Sequence, residues 1–114
     1  MAEIDVLTAT IGAAQTTSGE VDIGTKSLVG LQLPAAWVTA AITFQVSIDG
    51  GATFGTLIDG STGTAYTIPS VSGGAQAYVA IDPAKLRGVT SLKIVSGASQ
   101  TNGVTISLIT RLAL

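Results

Sequence analysis

The stretch from Ala41 to Gly51, AITFQVSIDGG, limits the fold more than any other part of the chain. Ile42, Phe44, Val46 and Ile48 alternate with Thr43, Gln45 and Ser47, the two-residue period of a strand that buries one face. Asp49-Gly50-Gly51 follows with residues that tolerate positive φ. The chain is therefore predicted to turn there and to return through TFGTLID (53–59) as a hairpin partner.

The rest of the chain repeats this grammar of short strands and Gly-rich turns. Glu3 to Ile11 reads as a first strand, Gly12 to Gly19 as a loop, and Val21 and Ile23 alternate with Glu20 and Asp22 in a second. Ser27 to Leu33 makes a third, with Val29, Leu31 and Leu33 on one face, and Pro34 ends it. The connection PAAWVTA brings Trp37 against the end of the structure. Beyond the central hairpin, TAYTIP stops at Pro69, a loop SVSGGAQ leads to AYVAID, and SLKIV (91–95) passes through a loop, SGASQTNG, into the long last strand GVTISLITRLAL. One miniature helix signal interrupts the series. Asp82 suits the cap, Pro83 the first helical position and Gly88 a left-handed stop, so a single turn is expected from Pro83 to Arg87.

Strands at this spacing with almost no helix predict an all-β chain: one domain over residues 1–114, an antiparallel β-sandwich of jelly-roll type, with an immunoglobulin-like sandwich as the alternative. The predicted core is Val29, Leu31, Leu33, Ile42, Phe44, Val46, Ile48, Leu92, Ile94, Val104, Ile106 and Leu108.

Composition matters for what such a sandwich does. It is 46% hydrophobic and 11% charged, against roughly 25% charged in an average soluble domain. Small domains bury a limited fraction of their surface, so part of the apolar content is expected to meet a partner. Five basic residues and a net charge of −2 give no footprint for nucleic acid. With no Cys and no His, disulfides and thiol chemistry are excluded, a zinc site would have to be all-carboxylate, and no cofactor is expected. The acidic start MAEIDVLTATIG lacks the basic and apolar regions of a signal peptide, and no apolar run approaches the ~20 residues of a membrane helix. Synthesis in the cytoplasm without export, and no membrane partner, are the expectations.

The residues that could carry chemistry each have a plainer use. Asp49 and Asp59 flank the central hairpin and could serve as a carboxylate pair or as calcium ligands, yet Asp-Gly is foremost a turn former. A Ser or Thr nucleophile needs a base, and without His only Lys26, Lys85 or Lys93 could act. Catalysis is not expected. Trp37, Tyr66 and Tyr78 could form a sugar-stacking platform, but with aromatics at 4% their use in core and interface is favoured. IDGGATFG lacks the lysine and the helix start of a phosphate-binding loop.

A resemblance adds to this reading. Val21 to Phe54, VDIGTKSLVGLQLPAAWVTAAITFQVSIDGGATF, followed by AIDPAKLRGVTSLKIVSG (80–97), resembles short proteins encoded among the virion genes of tailed bacteriophages and prophages. The shared pattern is a VG-[LI]-Q-[LM]-PAAW segment, an [LI]-TF-Q-x-S-x-DGG hairpin, and [AL]-DP before LK-[IV]-x-SG. The resemblance implies a structural virion component such as a head decoration protein, a fibre part or a connector accessory. It carries no site residues. After Phe54, GTLID replaces a more polar return. The expected function is thus a non-enzymatic structural component of a phage particle, with a glycan- or receptor-binding module of a fibre or tail as the alternative.

Expected partners are other copies of the chain, with a trimer favoured, and major capsid or other virion proteins. Trp37, Ile109, Leu112 and Leu114 are the interface candidates: Ile109 and Leu112 lie on opposite faces of the last strand, so one of them should stay outside the core.

Overall fold

The computed structural model describes residues 4–24, 26–71, 77–86 and 88–112. Its strands are β1 (Ile4–Ile11), β2 (Gln15–Thr17), β3 (Val21–Asp22), β4 (Lys26–Gln32), β5 (Ala40–Ser47), β6 (Gly55–Thr56), β7 (Ile58–Asp59), β8 (Thr64–Ala65), β9 (Ile68–Val71), β10 (Tyr78–Ala80), β11 (Ser91–Gln100) and β12 (Val104–Leu112). A 3-10 turn, Pro83–Leu86, stands between β10 and β11.

The strands form two main sheets. One has the order β1-β12-β4-β10; the other runs β2-β11-β5-β6, with β3 also on β11 and β9 also on β5. Every pairing is antiparallel. Counting β2 with β3, and β6 with β9, as one interrupted strand each, the first pairs with the last, the second with the next to last, and so inward to the central hairpin. That nested pairing, split over two sheets, is the jelly roll. An immunoglobulin sandwich keeps its first two strands side by side in one sheet, whereas here β1 and β2 lie in different sheets.

The core fills the space between the sheets. Ala40, Ile42 and Phe44 of β5 and Leu92 and Ile94 of β11 face Leu28 and Leu31 of β4, Val104, Ile106 and Leu108 of β12, and Ala9 and Ile11 of β1. Phe44 is fully buried and stacks on Tyr66, with ring centroids 6.2 Å apart and an interplanar angle of 17°.

Three of the predicted core positions differ. Leu28 is buried and Val29 only partly so, because β4 carries a bulge: Ile109 pairs with Gly30 and Thr110 with Leu28, which leaves Val29 unmatched and reverses the alternation. Val46 is half-buried, and Ile48 is 78% exposed. The alternation of β5 breaks at Ser47, which is buried and ends the strand. Its hydroxyl accepts the Gly51 N–H at 2.9 Å and donates to Asp49 Oδ1 at 2.6 Å, building the turn that lifts Ile48 into solvent.

The hairpin return is shorter than predicted. Only Gly55 and Thr56 pair with β5, and Leu57 N–H bonds the Phe44 carbonyl at 3.0 Å. Residues 58–65 then leave as the small β7–β8 hairpin before β9 rejoins β5 through Ile68 and Val71. Pro69 lies within β9 rather than ending a strand, as an edge strand allows.

Two polar side chains complete ladders that the backbone alone leaves open. Ser18 bridges the gap between β2 and β3, exchanging bonds with Ile94: its N–H donates to the Ile94 carbonyl and its Oγ accepts the Ile94 N–H, both at 2.9 Å. Gln100, fully buried, acts as a piece of backbone for the 34–39 connection. Its Oε1 accepts the Val38 N–H at 2.8 Å, and its Nε2 donates to the Val38 carbonyl at 3.3 Å and to Ser96 Oγ at 3.0 Å. The predicted loop at 96–103 is therefore strand as far as Gln100.

The 3-10 turn follows expectation. Asp82 Oδ1 accepts the Ala84 N–H at 3.1 Å, Leu86 is buried, and Gly88 takes φ 87°. Arg87 lies outside the described residues.

Candidate functional site

Alternation along the four-stranded sheet that sends Ala9, Leu31 and Leu108 inward presents Val6, Gly30 and Ile109 outward. The register sets these in one row: Val6 opposite Ile109, Ile109 opposite Gly30, and Gly30 opposite Ala80. Tyr78 leans over Gly30 so closely that a Cβ there would come within 2.0 Å of its hydroxyl. Any side chain at position 30 would displace the ring. Val6 is 56% and Tyr78 55% exposed, while Ile109 is half-buried.

On one side the adjoining row holds the exposed Arg111, opposite Ile4 and Ser27; on the other side the next rows are uncharged and polar: Thr8, Ser107 and Gln32, then Thr10 and Thr105, whose hydroxyls bond at 3.1 Å. A shallow depression of about 130 Å³ is lined there by Gln32, Leu33, Pro34, Thr105 and Ser107. The whole face offers contact area rather than a chemical centre.

Of the interface candidates, Ile109 lies on this face. Trp37 does not: at 5% exposure it belongs to the core, folded in by a turn in which its N–H donates to the Pro34 carbonyl at 3.0 Å. The backbone of Leu112 pairs with Lys26 at the end of β12. Its side chain, and Leu114 altogether, lie outside the described residues. Val6 is a surface residue that the sequence did not single out; the first strand alternates, but nothing in it says which parity faces water.

The aromatic platform does not assemble. Trp37 is buried, Tyr66 is occupied by Phe44, and Tyr78 is left on the surface.

Asp49 and Asp59 are committed to turns. Asp49 accepts the Ser47 and Thr53 hydroxyls, each at 2.6 Å, and the Thr53 N–H at 3.0 Å. Asp59 accepts the Ser61 hydroxyl at 2.7 Å, its N–H at 2.9 Å, and Lys85 Nζ at 3.0 Å. These bonds favour the ionised forms, with the Ser47 hydroxyl the largest influence on Asp49 and the Ser61 hydroxyl on Asp59, and each carboxyl is lowered to about 2. Among the described residues, no group of three or more acids comes together that could hold a metal ion. Lys26 pairs with Asp5 and Lys85 with Asp59; Lys93 lies 4.5 Å from the Phe54 ring centroid on the other sheet.

A pH dependence follows from the two turns. Both carboxyls have folded pKa values below the unfolded value of 3.8, so their contribution is complete above that value and disappears as pH falls through it toward about 2. Melting temperature should hold steady from neutral pH to the onset of carboxyl protonation and then decline. The double variant Asp49→Asn/Asp59→Asn should flatten that decline, and an unchanged acid profile would show that other groups govern it.

No protein-family model and no curated protein matches the chain. Among solved structures it is similar to the SPBc2 prophage-derived protein YomS, at 17% identity and a TM-score of 0.54, over 96% of this chain and 95% of that one. The fold is shared with a prophage protein. The likeness runs over nearly the full length of each chain.

Proposed function

We propose that this protein is a non-enzymatic structural component of a phage particle, a capsid decoration or stabilising protein that works by packing against neighbouring subunits. The observation that carries this reading is the outer face of the four-stranded sheet, where Val6, Ile109 and Tyr78 form a partly apolar surface that stays open among the described residues, with Arg111 in the adjoining row. The end-to-end likeness to a prophage-derived protein supports it, as does the sequence resemblance to virion components. A subunit of this kind needs area and shape. It needs no titratable group, and the carboxylates and lysines with the best claim to chemistry are spent on turns, ion pairs and a ring contact.

In this reading the protein is made in the host cytoplasm, associates with its own copies, and joins major capsid or other virion proteins in the particle. Mass spectrometry of particles purified from the phage that encodes the chain should find it in stoichiometric amounts. Sedimentation of the purified protein should show self-association. A monomer at high micromolar concentration that is absent from particles would overturn the proposal.

A further inference from the structure

Strand β1 is an edge of the four-stranded sheet, paired with β12 on one side only. In an antiparallel strand the N–H and C=O of one residue point to the same side, and the side alternates along the chain. The Thr10 carbonyl accepts the Gly19 N–H at 3.4 Å, away from β12, which fixes the parity. The backbone groups of Ile4, Val6 and Thr8 therefore point the same way as those of Thr10, to the open edge. No backbone group among the described residues bonds them there. The Val6 N–H exerts a small lowering influence on the Asp5 carboxyl, which is held down chiefly by its hydrogen bond to Lys26.

Native edges of this kind are commonly guarded by proline, by a bulge or by an inward-pointing charge. β1 has no proline, and its pairing with β12 runs without a register shift. Its one charge, Asp5, is neutralised by Lys26.

We infer that this edge pairs with β1 of a second copy, antiparallel about a two-fold axis, with Val6 opposite the partner's Val6. An antiparallel edge is complementary to itself, so one strand supplies both halves of a closed contact. Three pairs form, Ile4 with the partner's Thr8, Val6 with the partner's Val6, and Thr8 with the partner's Ile4. Each exchanges two bonds, about six in all.

Neighbouring registers fit less well. Moving the axis toward the N-terminus leaves only two pairs among the described residues, Ile4 with the partner's Val6 and the reverse, about four bonds; moving it the other way requires the Thr10 carbonyl, which Gly19 already holds. The chosen register also brings the two half-exposed Val6 side chains together on the outer face. The contact specifies how the assembly proposed above would use this sheet. It gives a dimer by itself and is compatible with a trimer as part of a dihedral hexamer.

The test uses the full chain, which has no cysteine. Val6→Cys should form a disulfide-linked dimer under mild oxidation, because facing hydrogen-bonded pairs lie at about 5.5 Å between Cα atoms, within disulfide reach. Thr10→Cys should cross-link far more slowly. In sedimentation velocity, Val6→Lys should weaken self-association on the order of tenfold or more by opposing two like charges, and Thr8→Pro should do the same by removing an edge donor without touching β12. Ile48→Lys, at an exposed position on a turn, should leave association unchanged. Circular dichroism would show which variants keep the fold.

Association that survives both Val6→Lys and Thr8→Pro, or equal cross-linking at positions 6 and 10, overturns the edge contact and leaves the particle role standing. So does a monomeric protein that is nonetheless found in particles.

Discussion

Phe44→Ala should destabilise the protein by about 3–5 kcal/mol, the usual cost of deleting a fully buried aromatic ring with incomplete collapse of the cavity. For a domain of this size the melting temperature should fall by roughly 10–25 °C. Phe44 has no exposed surface, sits opposite Ile94 at the centre of the six-stranded sheet, and holds Tyr66 by stacking. Its loss thus empties the middle of the core and frees the ring that pins the edge excursion. Thermal and urea unfolding measure the effect. A variant that melts within a degree or two of the parent would mean that the centre of the sandwich lies elsewhere.

Gln100→Leu should be the second costly change, by about 2–4 kcal/mol, although it replaces a polar residue in the core with an apolar one of similar size. The reason is what it leaves behind. The Val38 N–H and C=O, both part-buried, lose their side-chain partner together, and an amide group left without a partner and shielded from water costs about 1–3 kcal/mol. Ser96→Ala, which removes only one bond to Gln100, should cost less. Limited proteolysis separates the two effects: Gln100→Leu should open residues 34–39 to cleavage, while Phe44→Ala should raise susceptibility throughout. Equal melting temperatures for Gln100→Leu and the parent would remove Gln100 from its role as a clamp.

These two residues also mark what the sequence could and could not show. Phe44 was legible because β5 alternates without interruption from Ala40 to Phe44, and β12 was legible for the same reason. An antiparallel sandwich followed from the number and spacing of such strands; spacing left the jelly roll and the immunoglobulin-like order open, and the nested pairing decides between them. Legibility failed where a local event changed the parity. The bulge at Val29 exchanges its place with Leu28, and nothing in SLVGLQL announces an extra residue. Ser47 ends β5 one residue early because its hydroxyl is worth more to the turn than Ile48 is to the core.

Gln100 was hidden for a different reason. A glutamine in SGASQTNG reads as loop until its backbone partner, far away in sequence, is known. On the candidate surface, Ile109 could be found from the length of the last strand, whereas Val6 required the register with β12. The sequence left Trp37 to core or interface, and a single turn after Pro34 buries it.

The nested pairing has a consequence for how the chain acquires its structure in time. Of the described strands β1 is made first and its ladder partner β12 last, with Ile4 waiting for Arg111. The sheet that carries the proposed contact surface therefore cannot close until β12 has been made. Contacts between such distant segments also place the chain among slow folders, because the entropy of closing a long loop must be met before the pairing rewards it. Until β12 arrives, β1 has two open edges instead of one. Self-association through β1 before release would compete with folding, so the order of events favours a chain that folds as a finished monomer first and meets its neighbours afterwards.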